Sequence, residues 1–334
     1  MARIAIIGAG AWGTALACVA RRAGHEATLW AREPEVAGAI NAGQGNPTFL
    51  PDIDLEPGIA ATADIAEAVR DAEAVLMVVP SQFLRAVAKS MRPHLPAGAP
   101  VVLCAKGIEH DTLALMTEAA EDSLPGFPIA VLSGPTFARE VAQGLPTAVT
   151  LACADTELGQ KLVDMIGIPL FRPYLSDDLV GAEIGGAVKN VLAIACGIVT
   201  GRKLGDNTRA ALITRGLAEM ARLGGALGGS PETLMGLSGL GDLTLTCNGP
   251  QSRNMSLGMA LGQGRALKEV LAERSSIAEG VFSAASVVAL AAKLGVEMPI
   301  CAAVDQVINH GADIDTAIAG LLSRPFRTEA GDAN

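Results

Sequence analysis

The segment RIAIIGAGAWGTALACVARRAGHEATLW, residues 3–30 of the 334-residue chain, decides the fold. Arg3–Ile7 is a short apolar run rich in β-branched side chains, which predicts a strand. A helix is predicted over Thr14–Ala23 and a second strand over Glu26–Trp30. The glycine pattern GxGxxG occupies residues 8–13, between the first strand and the helix. This order of strand, GxGxxG, helix and strand is typical of a dinucleotide-binding fold.

The three glycines of the pattern have separate predicted tasks. Gly8 makes the tight turn, Gly10 lets the backbone approach a pyrophosphate, and Gly13 lets the helix pack closely on the strand. The N–H groups at the start of the helix would then bind the phosphates.

The end of the second strand indicates which dinucleotide is preferred. Folds that prefer NAD place an acidic residue there to bind the ribose hydroxyls. This chain has Ala31 and Arg32 at that place, and an arginine pairs well with a 2′-phosphate. We therefore expect NADPH to be preferred over NADH. The alternative is that Arg32 is a solvated surface side chain and the adjacent Glu33 binds the ribose.

The first half of the chain contains several further apolar strands separated by helices, which predicts a parallel, doubly wound α/β sheet. A loop rich in glycine and proline is expected over Asn41–Pro57. The further strands are predicted at Ala74–Val79, Pro100–Ala105, Ile129–Leu132, Thr147–Ala152 and Leu170–Arg172.

Ligands of such sheets bind at the carboxyl ends of the strands. Pro80, Lys106 and the turn from Gly134 to Thr136 all follow predicted strands, so they should face the same crevice as the glycine turn. Lys106 is a candidate ligand for an anion or a carbonyl; a solvated loop lysine is the alternative.

The pattern changes after Tyr174, where helices replace strands. We therefore predict a dinucleotide-binding domain over residues 1–178, an all-helical domain over 179–327, and a disordered tail over 328–334. The first helix of the second domain, GAEIGGAVKNVLAIACGIVTG at 181–201, is almost entirely apolar but carries Lys189 and Asn190. A lysine on a buried helix either extends to the surface on its long stem or points into a site.

Two later segments add polar groups to the helical half. GLSGLGD at residues 236–242 predicts a glycine-rich loop that ends in the carboxylate of Asp242. Ser252, Arg253 and Asn254 open a helix, with Ser252 as a natural N-cap. A helix N-terminus beside an arginine is a ready phosphate site, although an ordinary capped surface helix has the same sequence.

Composition excludes several classes of function. The formal net charge of −10 argues against binding to nucleic acids or anionic membranes. The six cysteines are widely spaced, with no CxxC pair and no cysteine–histidine cluster, which predicts buried thiols in a reducing compartment and no metal. We expect no signal peptide and no uninterrupted apolar run of about 18–20 residues, and hence a cytoplasmic protein without membrane insertion.

Eight short blocks occur in one order along the chain and together resemble the bacterial NAD(P)-dependent glycerol-3-phosphate dehydrogenase family, over about residues 3–325. They are GAGAWGTALA (8–17), AKG (105–107), SGPTFA (133–138), GGAVKNV (185–191), TRGLAEM (214–220), GLGDL (239–243), QSRN (251–254) and EMP (297–299). The resemblance implies reduction of dihydroxyacetone phosphate to sn-glycerol 3-phosphate for glycerophospholipid synthesis. It also implies a homodimer and a C-terminal domain like that of 6-phosphogluconate dehydrogenase.

The resemblance also implies roles for single residues. Lys189 would be the catalytic acid/base, with Asp242 and Lys106 beside it. Beyond the glycine turn, the cofactor would contact Ala11, Trp12, Arg32, Lys106, Ala138, Arg253, Ile277 and Glu279. The phosphorylated substrate would contact Lys106, Gly134, Thr136, Lys189, Asn190, Asp242, Ser252, Arg253 and Asn254.

Two other hypotheses for the function are compatible with some of these residues. A 3-hydroxyacid dehydrogenase of the same architecture also pairs a nucleotide domain with a helical domain and a catalytic lysine. It needs a carboxylate clamp, however, and has no use for the phosphate site at Ser252–Asn254. A nucleotide-sensing protein without turnover would keep the glycine turn but not Lys106, Lys189 and Asp242.

Overall fold

An eight-stranded sheet forms the N-terminal half of the computed structural model, which describes residues 1–273, 278–326 and 328. The strand order is β3-β2-β1-β4-β5-β6-β7-β8. The strands are β1 (Arg3–Ile7), β2 (Glu26–Trp30), β3 (Ile59–Thr62), β4 (Ala74–Met77), β5 (Val101–Leu103), β6 (Ile129–Ser133), β7 (Thr147–Ala152) and β8 (Phe171–Ser176).

Alternating side chains of the strands pack against helices on both faces of the sheet. In β1, Ile4 and Ile6 join one buried cluster, while Ala5 and Ile7 join another on the opposite face. The predicted doubly wound α/β fold is thereby confirmed. The helices of this half are α1 (Ala11–Arg22), α2 (Pro34–Asn41), α3 (Ile65–Val69), α4 (Leu84–Met91), α5 (Met116–Ser123), α6 (Ala138–Ala142) and α7 (Thr156–Ile166).

One strand pair departs from the predicted parallel sheet. β7 pairs with β6 in the antiparallel direction, and Leu132 lies opposite Leu151. The connection between them contains only the short helix α6, which packs against α1 instead of carrying the chain back across the sheet. The sequence showed that β7 is apolar, and apolar strands are compatible with either direction when both faces are covered.

The C-terminal half is helical, and the helix α8 (Leu179–Gly201) lies at its centre. This helix is long and apolar enough to cross a membrane by length and composition, with a mean hydropathy of 1.6, yet 89% of that stretch is buried inside the protein. The helices of this half are α8 (Leu179–Gly201), α9 (Asp206–Ala226), α10 (Pro231–Met235), α11 (Asp242–Asn248), α12 (Arg253–Gly262), α13 (Leu267–Ala272), α14 (Gly280–Lys293), α15 (Pro299–Asn309) and α16 (Ile314–Leu322).

Several local expectations differ from the structure. β8 runs on to Ser176, beyond the predicted Arg172, and strand β3 was not predicted. The segment Leu237–Gly241, predicted as a loop, is a π-helical turn that leads directly into α11. The predicted tail lies outside the described residues except for Thr328. All six cysteines are buried free thiols, as expected.

Glycines on both helices let α8 and α12 pack backbone against backbone. A Cβ added to Gly197 of α8 would lie 2.1 Å from the carbonyl oxygen of Met255. A Cβ on Gly258 of α12 would lie 2.0 Å from the carbonyl oxygen of Ile194. The two helices therefore cross at a distance that larger residues do not permit, and this contact places the start of α12 beside the middle of α8.

We expect Gly197→Ala to lower the free energy of unfolding by about 3 kcal/mol, because rigid backbone must move to admit the methyl group. Gly225→Ala is the matched control, since Gly225 is exposed on α9 with open space around it. That change should be neutral or stabilising by up to about 1 kcal/mol. Urea denaturation measures the free energy of unfolding of both variants. Equal values would contradict the prediction, because they would show that α8 and α12 can move apart without loss of stability.

Candidate active site

A cavity of about 720 Å³ lies between the carboxyl ends of the first strands and the helical half. It is lined by the glycine turn on one side and by α8, α11 and α12 on the other. The predicted site residues that line it are Gly8, Gly10, Ala11, Trp12, Gly13, Arg32, Lys106, Thr136, Ala138, Lys189, Asn190, Ser252, Arg253, Asn254 and Glu279. Gly134 and Asp242 lie directly behind this lining, and Ile277 is outside the described residues.

The glycine turn has the backbone that the sequence predicts. Gly8 has a φ of +120°, and its N–H donates to the carbonyl of Trp30 at 3.1 Å. A Cβ on Gly13 would lie 1.8 Å from the Gly8 oxygen, so only glycine allows α1 to start so close to β1. Around Gly10 there is open space where a side chain would begin. The N-terminus of α1 is thus accessible to an anion from the cavity.

The groups around the turn fit a dinucleotide. Trp12 lines the cavity, and its indole Nε1 is buried without a hydrogen-bond partner among the described residues. A buried N–H of this kind normally finds an acceptor. Open space at Gly10 and a free donor at Trp12 are consistent with a ligand that brings phosphate or carbonyl oxygens.

Arg32 lies at the edge of the cavity, where the sequence placed it. Its side chain is 74% exposed, and its guanidinium donates to the carboxylate of Glu33 at 2.6 and 2.9 Å. An exposed ion pair of this kind contributes only about 0–1 kcal/mol. A 2′-phosphate can therefore replace Glu33 as the partner of Arg32 at little cost.

Two lysines from distant parts of the chain share the carboxylate of Asp242, which is fully buried. Lys189 Nζ donates to Oδ1 at 2.5 Å, and Lys106 Nζ donates to Oδ2 at 2.7 Å. Lys106 Nζ also donates to the carbonyl of Gly134 at 3.1 Å. The alternatives of a surface lysine at 189 and a solvated loop lysine at 106 are therefore wrong.

Burial lowers the pKa of Lys189 to about 8, because apolar surroundings disfavour the charged ammonium. The opposite charge of Asp242 raises this pKa, while the like charge of Lys106 lowers it further. An amine with a pKa near neutrality is suited to giving and taking protons at physiological pH.

Thr246 belongs to this cluster and was missed by the sequence analysis. Its hydroxyl accepts from Lys189 Nζ at 3.1 Å and donates to Asp242 Oδ1 at 3.3 Å. Asp242 and Thr246 are four residues apart on α11, so they share one face of the helix. The spacing of four residues could have indicated Thr246. The sequence analysis did not use it, because it predicted Asp242 as the end of a loop and not as the first residue of a helix.

The start of α12 is fixed by its own side chains. Ser252 is the N-cap, and its hydroxyl accepts from the N–H of Met255 at 3.2 Å. The side-chain amide of Asn254 donates to Asn190 Oδ1 at 2.9 Å and accepts from the N–H of Gly280 at 3.0 Å. This buried network ties α12 and α14 to α8 beside the catalytic lysine candidate.

Glu279 is a half-buried carboxyl that also lines the cavity. Burial raises its pKa, and the positive charges of Arg253, Lys106 and Lys189 counteract this effect. The lining of the cavity therefore carries this carboxyl together with the cations Arg253, Lys106 and Lys189.

We expect Asp242→Asn to lower the free energy of unfolding by about 3–5 kcal/mol at pH 7, because the buried ammonium of Lys189 and the partly buried ammonium of Lys106 lose the carboxylate that they share. The loss should shrink as the pH rises. In the wild type the Lys189 pKa is already lowered to about 8, and without the carboxylate it falls further. Below about pH 8 the unfolded variant therefore binds more protons than the folded variant, so its stability rises with pH while that of the wild type does not.

Urea denaturation between pH 6 and 9 measures this effect. Asp315→Asn is the control, because Asp315 pairs with Arg202 at the exposed surface at 3.1 Å. Its loss should cost less than about 1 kcal/mol at every pH. A large loss for Asp242→Asn that does not change with pH would contradict the charge argument.

Comparison with known proteins identifies the family. The family model described as the NAD-dependent glycerol-3-phosphate dehydrogenase N-terminus matches residues 3–159, and the model of the C-terminus matches residues 178–319. A protein of Rhodospirillum rubrum named glycerol-3-phosphate dehydrogenase [NAD(P)+] is 64% identical over 98% of this chain and 94% of its own length. A protein of the same name from Parvibaculum lavamentivorans is 60% identical over 98% of both chains.

A solved structure agrees with these sequence matches. The crystal structure of glycerol-3-phosphate dehydrogenase from Coxiella burnetii is 41% identical, with a TM-score of 0.93 over 97% of this chain and 99% of that chain. The resemblance predicted from the eight sequence blocks is confirmed. The chain belongs to the NAD-dependent glycerol-3-phosphate dehydrogenase family.

Proposed function

We propose that this protein is an sn-glycerol-3-phosphate dehydrogenase that reduces dihydroxyacetone phosphate with NAD(P)H. The observation that carries the proposal is the position of Lys189: a buried lysine with a lowered pKa faces the same cavity as the glycine turn. Family membership and the names of its relatives support the same reaction.

Residues 1–178 would bind the nucleotide and residues 179–327 the substrate. The product would serve glycerophospholipid synthesis in the cytoplasm, and the active form would be a homodimer, as the resemblance implies.

Lys189 would act as the general acid. Bound NAD(P)H would supply a hydride for the carbonyl carbon, and negative charge would then develop on the ketone oxygen. The Lys189 ammonium gives its proton to that oxygen, and the resulting amine is reprotonated from solvent. Asp242 holds the ammonium in place, and Thr246 accepts from the same group. Lys106 adds a second positive charge close to the developing oxyanion.

The substrate phosphate would bind at the start of α12. Ser252 caps this helix, and Arg253 and Asn254 follow in its first turn. A helix N-terminus with an arginine suits a phosphate dianion better than it suits the carboxylate of a hydroxyacid, which needs a clamp of its own. Binding energy from this non-reacting group holds the carbonyl in position for reaction.

We expect purified protein to oxidise NADPH when dihydroxyacetone phosphate is added, and Lys189→Ala to lower kcat by about 10²–10⁴-fold, which is the usual contribution of a general acid. In the wild type, kcat/KM for reduction should fall as the pH rises above the lowered pKa of Lys189, about 8, because the neutral amine has no proton to give. The variant should lose this pH dependence.

Lys161→Ala is the control for this experiment, because Lys161 is an exposed residue of α7. It should retain wild-type kcat. NADPH binding should survive in Lys189→Ala. A wild-type kcat in Lys189→Ala would show that Lys189 is not the general acid. Turnover with a 3-hydroxyacid but not with dihydroxyacetone phosphate would contradict the proposed substrate.

We further propose that NADPH is preferred over NADH through Arg32. Arg32→Ala should raise the KM for NADPH about tenfold and leave the KM for NADH nearly unchanged, because only NADPH has the 2′-phosphate that the guanidinium binds. Arg92→Ala, at an exposed arginine outside the cavity lining, should change neither value. Equal kcat/KM for the two cofactors in the wild type would favour Glu33 as the ribose ligand.

A further inference from the structure

Asn46 is a buried polar residue that the proposed mechanism does not use. It lies in the loop between α2 and β3 and is only 1% exposed. A buried side-chain amide is costly unless its donors and its acceptor are all bonded. The partners of Asn46 therefore show what the residue holds together.

All the partners of Asn46 lie in the glycine turn, at the start of α1 or in its own loop. Its Nδ2 donates to the carbonyl of Ala9 at 2.9 Å and to the hydroxyl of Thr14 at 2.8 Å. Its Oδ1 accepts from the N–H of Phe49 at 3.1 Å. The orientation of the amide is unambiguous, because a carbonyl only accepts and a backbone N–H only donates.

The bond to Ala9 fixes the direction of a peptide group in the glycine turn. In a planar trans peptide the carbonyl of one residue and the N–H of the next point in opposite directions. The Ala9 carbonyl points at Asn46, so the N–H of Gly10 points away from it, and Gly10 lines the cavity. Thr14 reinforces this arrangement, because its hydroxyl donates to the Gly10 carbonyl at 3.0 Å.

Asn46 also fixes a second wall of the cavity. The N–H of Leu50 donates to the main-chain carbonyl of Asn46 at 2.9 Å, and the N–H of Phe49 donates to its side chain. These two bonds hold residues 46 to 50 in a tight turn. Thr48, Phe49 and Leu50 all line the cavity. One side chain thus joins the glycine turn to the facing loop.

We propose that Asn46 is a positioning residue for the dinucleotide: it holds the Gly10 N–H outward and keeps the 48–50 loop in place before NAD(P)H binds. Preorganised donors bind a charged group more tightly because no reorganisation is needed when it arrives. The inference rests on the cofactor part of the proposed function and not on the identity of the ketone.

Cofactor binding can be measured directly and without substrate. The chain has two tryptophans, Trp12 and Trp30, and both line the cavity, so indole fluorescence reports NADPH binding. We expect Asn46→Ala to raise the Kd for NADPH about tenfold, since the Ala9 carbonyl loses its buried donor. At saturating NADPH, kcat and the KM for dihydroxyacetone phosphate should not change.

Two further variants sharpen the test. Asn46→Asp keeps the acceptor for Phe49 but turns an oxygen towards the Ala9 carbonyl, so its Kd should rise more than that of Asn46→Ala. Thr14→Val has nearly the same shape as the wild type and removes only the hydroxyl that bonds to Asn46 and Gly10. Its Kd should rise in the same direction, and this variant decides the question if Asn46→Ala does not fold.

Asn41→Ala is the control, at an exposed asparagine of the same segment. Asn41 also bridges backbone groups, since its Nδ2 donates to the Ala61 carbonyl at 2.7 Å and its Oδ1 accepts from the Ala61 N–H at 2.9 Å. It does not belong to the cavity lining, so its loss should lower the Tm without changing the Kd for NADPH. A wild-type Kd in both Asn46→Ala and Thr14→Val would overturn the proposal. An equal rise in Asn41→Ala would also overturn it, because it would show only general loosening.

Discussion

The carboxylate of Asp242, fully buried between the ammonium groups of Lys189 and Lys106, is the interaction on which the site depends. Two like charges in an apolar environment repel each other and lose solvation, so they stay together only with an anion between them. The three residues come from α8, α11 and the segment after β5. The same contact therefore joins the sheet to the helical half, and it partly offsets the lowering of the Lys189 pKa by burial.

Small residues make this geometry accessible. Gly197 and Gly258 bring the backbones of α8 and α12 together, and Gly186 of α8 admits the side chain of Lys106, since an added Cβ would lie 3.2 Å from Lys106 Cγ. A chain that is half hydrophobic but only 3% aromatic is suited to such close crossings. The start of α12, where we propose that the substrate phosphate binds, is thereby held beside Lys189.

Buried carboxylates also connect elements away from the cavity. Glu183 of α8 accepts from the N–H of Thr117 at 2.9 Å and from its hydroxyl at 2.7 Å, which ties the central helix to α5 of the sheet half. Burial raises the pKa of Glu183 to about 7. Glu219 of α9 accepts from the N–H groups of Ile300 and Cys301 and so caps α15. In both cases an acid on a long helix satisfies backbone donors that the neighbouring helix cannot satisfy itself.

The sequence by itself determined the dinucleotide fold, the change to helices after the sheet, and about half of the residues that line the cavity. These features depend on local periodicity and on short motifs whose members are close along the chain, such as the turn at residues 8–13. The tertiary structure decided the direction of β7, the place of Thr246 in the lysine cluster, and the bonds of Asn46. Lys106 and Asp242 are 136 residues apart, and Asn46 and Ala9 are 37 apart. No local pattern encodes such pairs, because they form only when packing brings distant elements together.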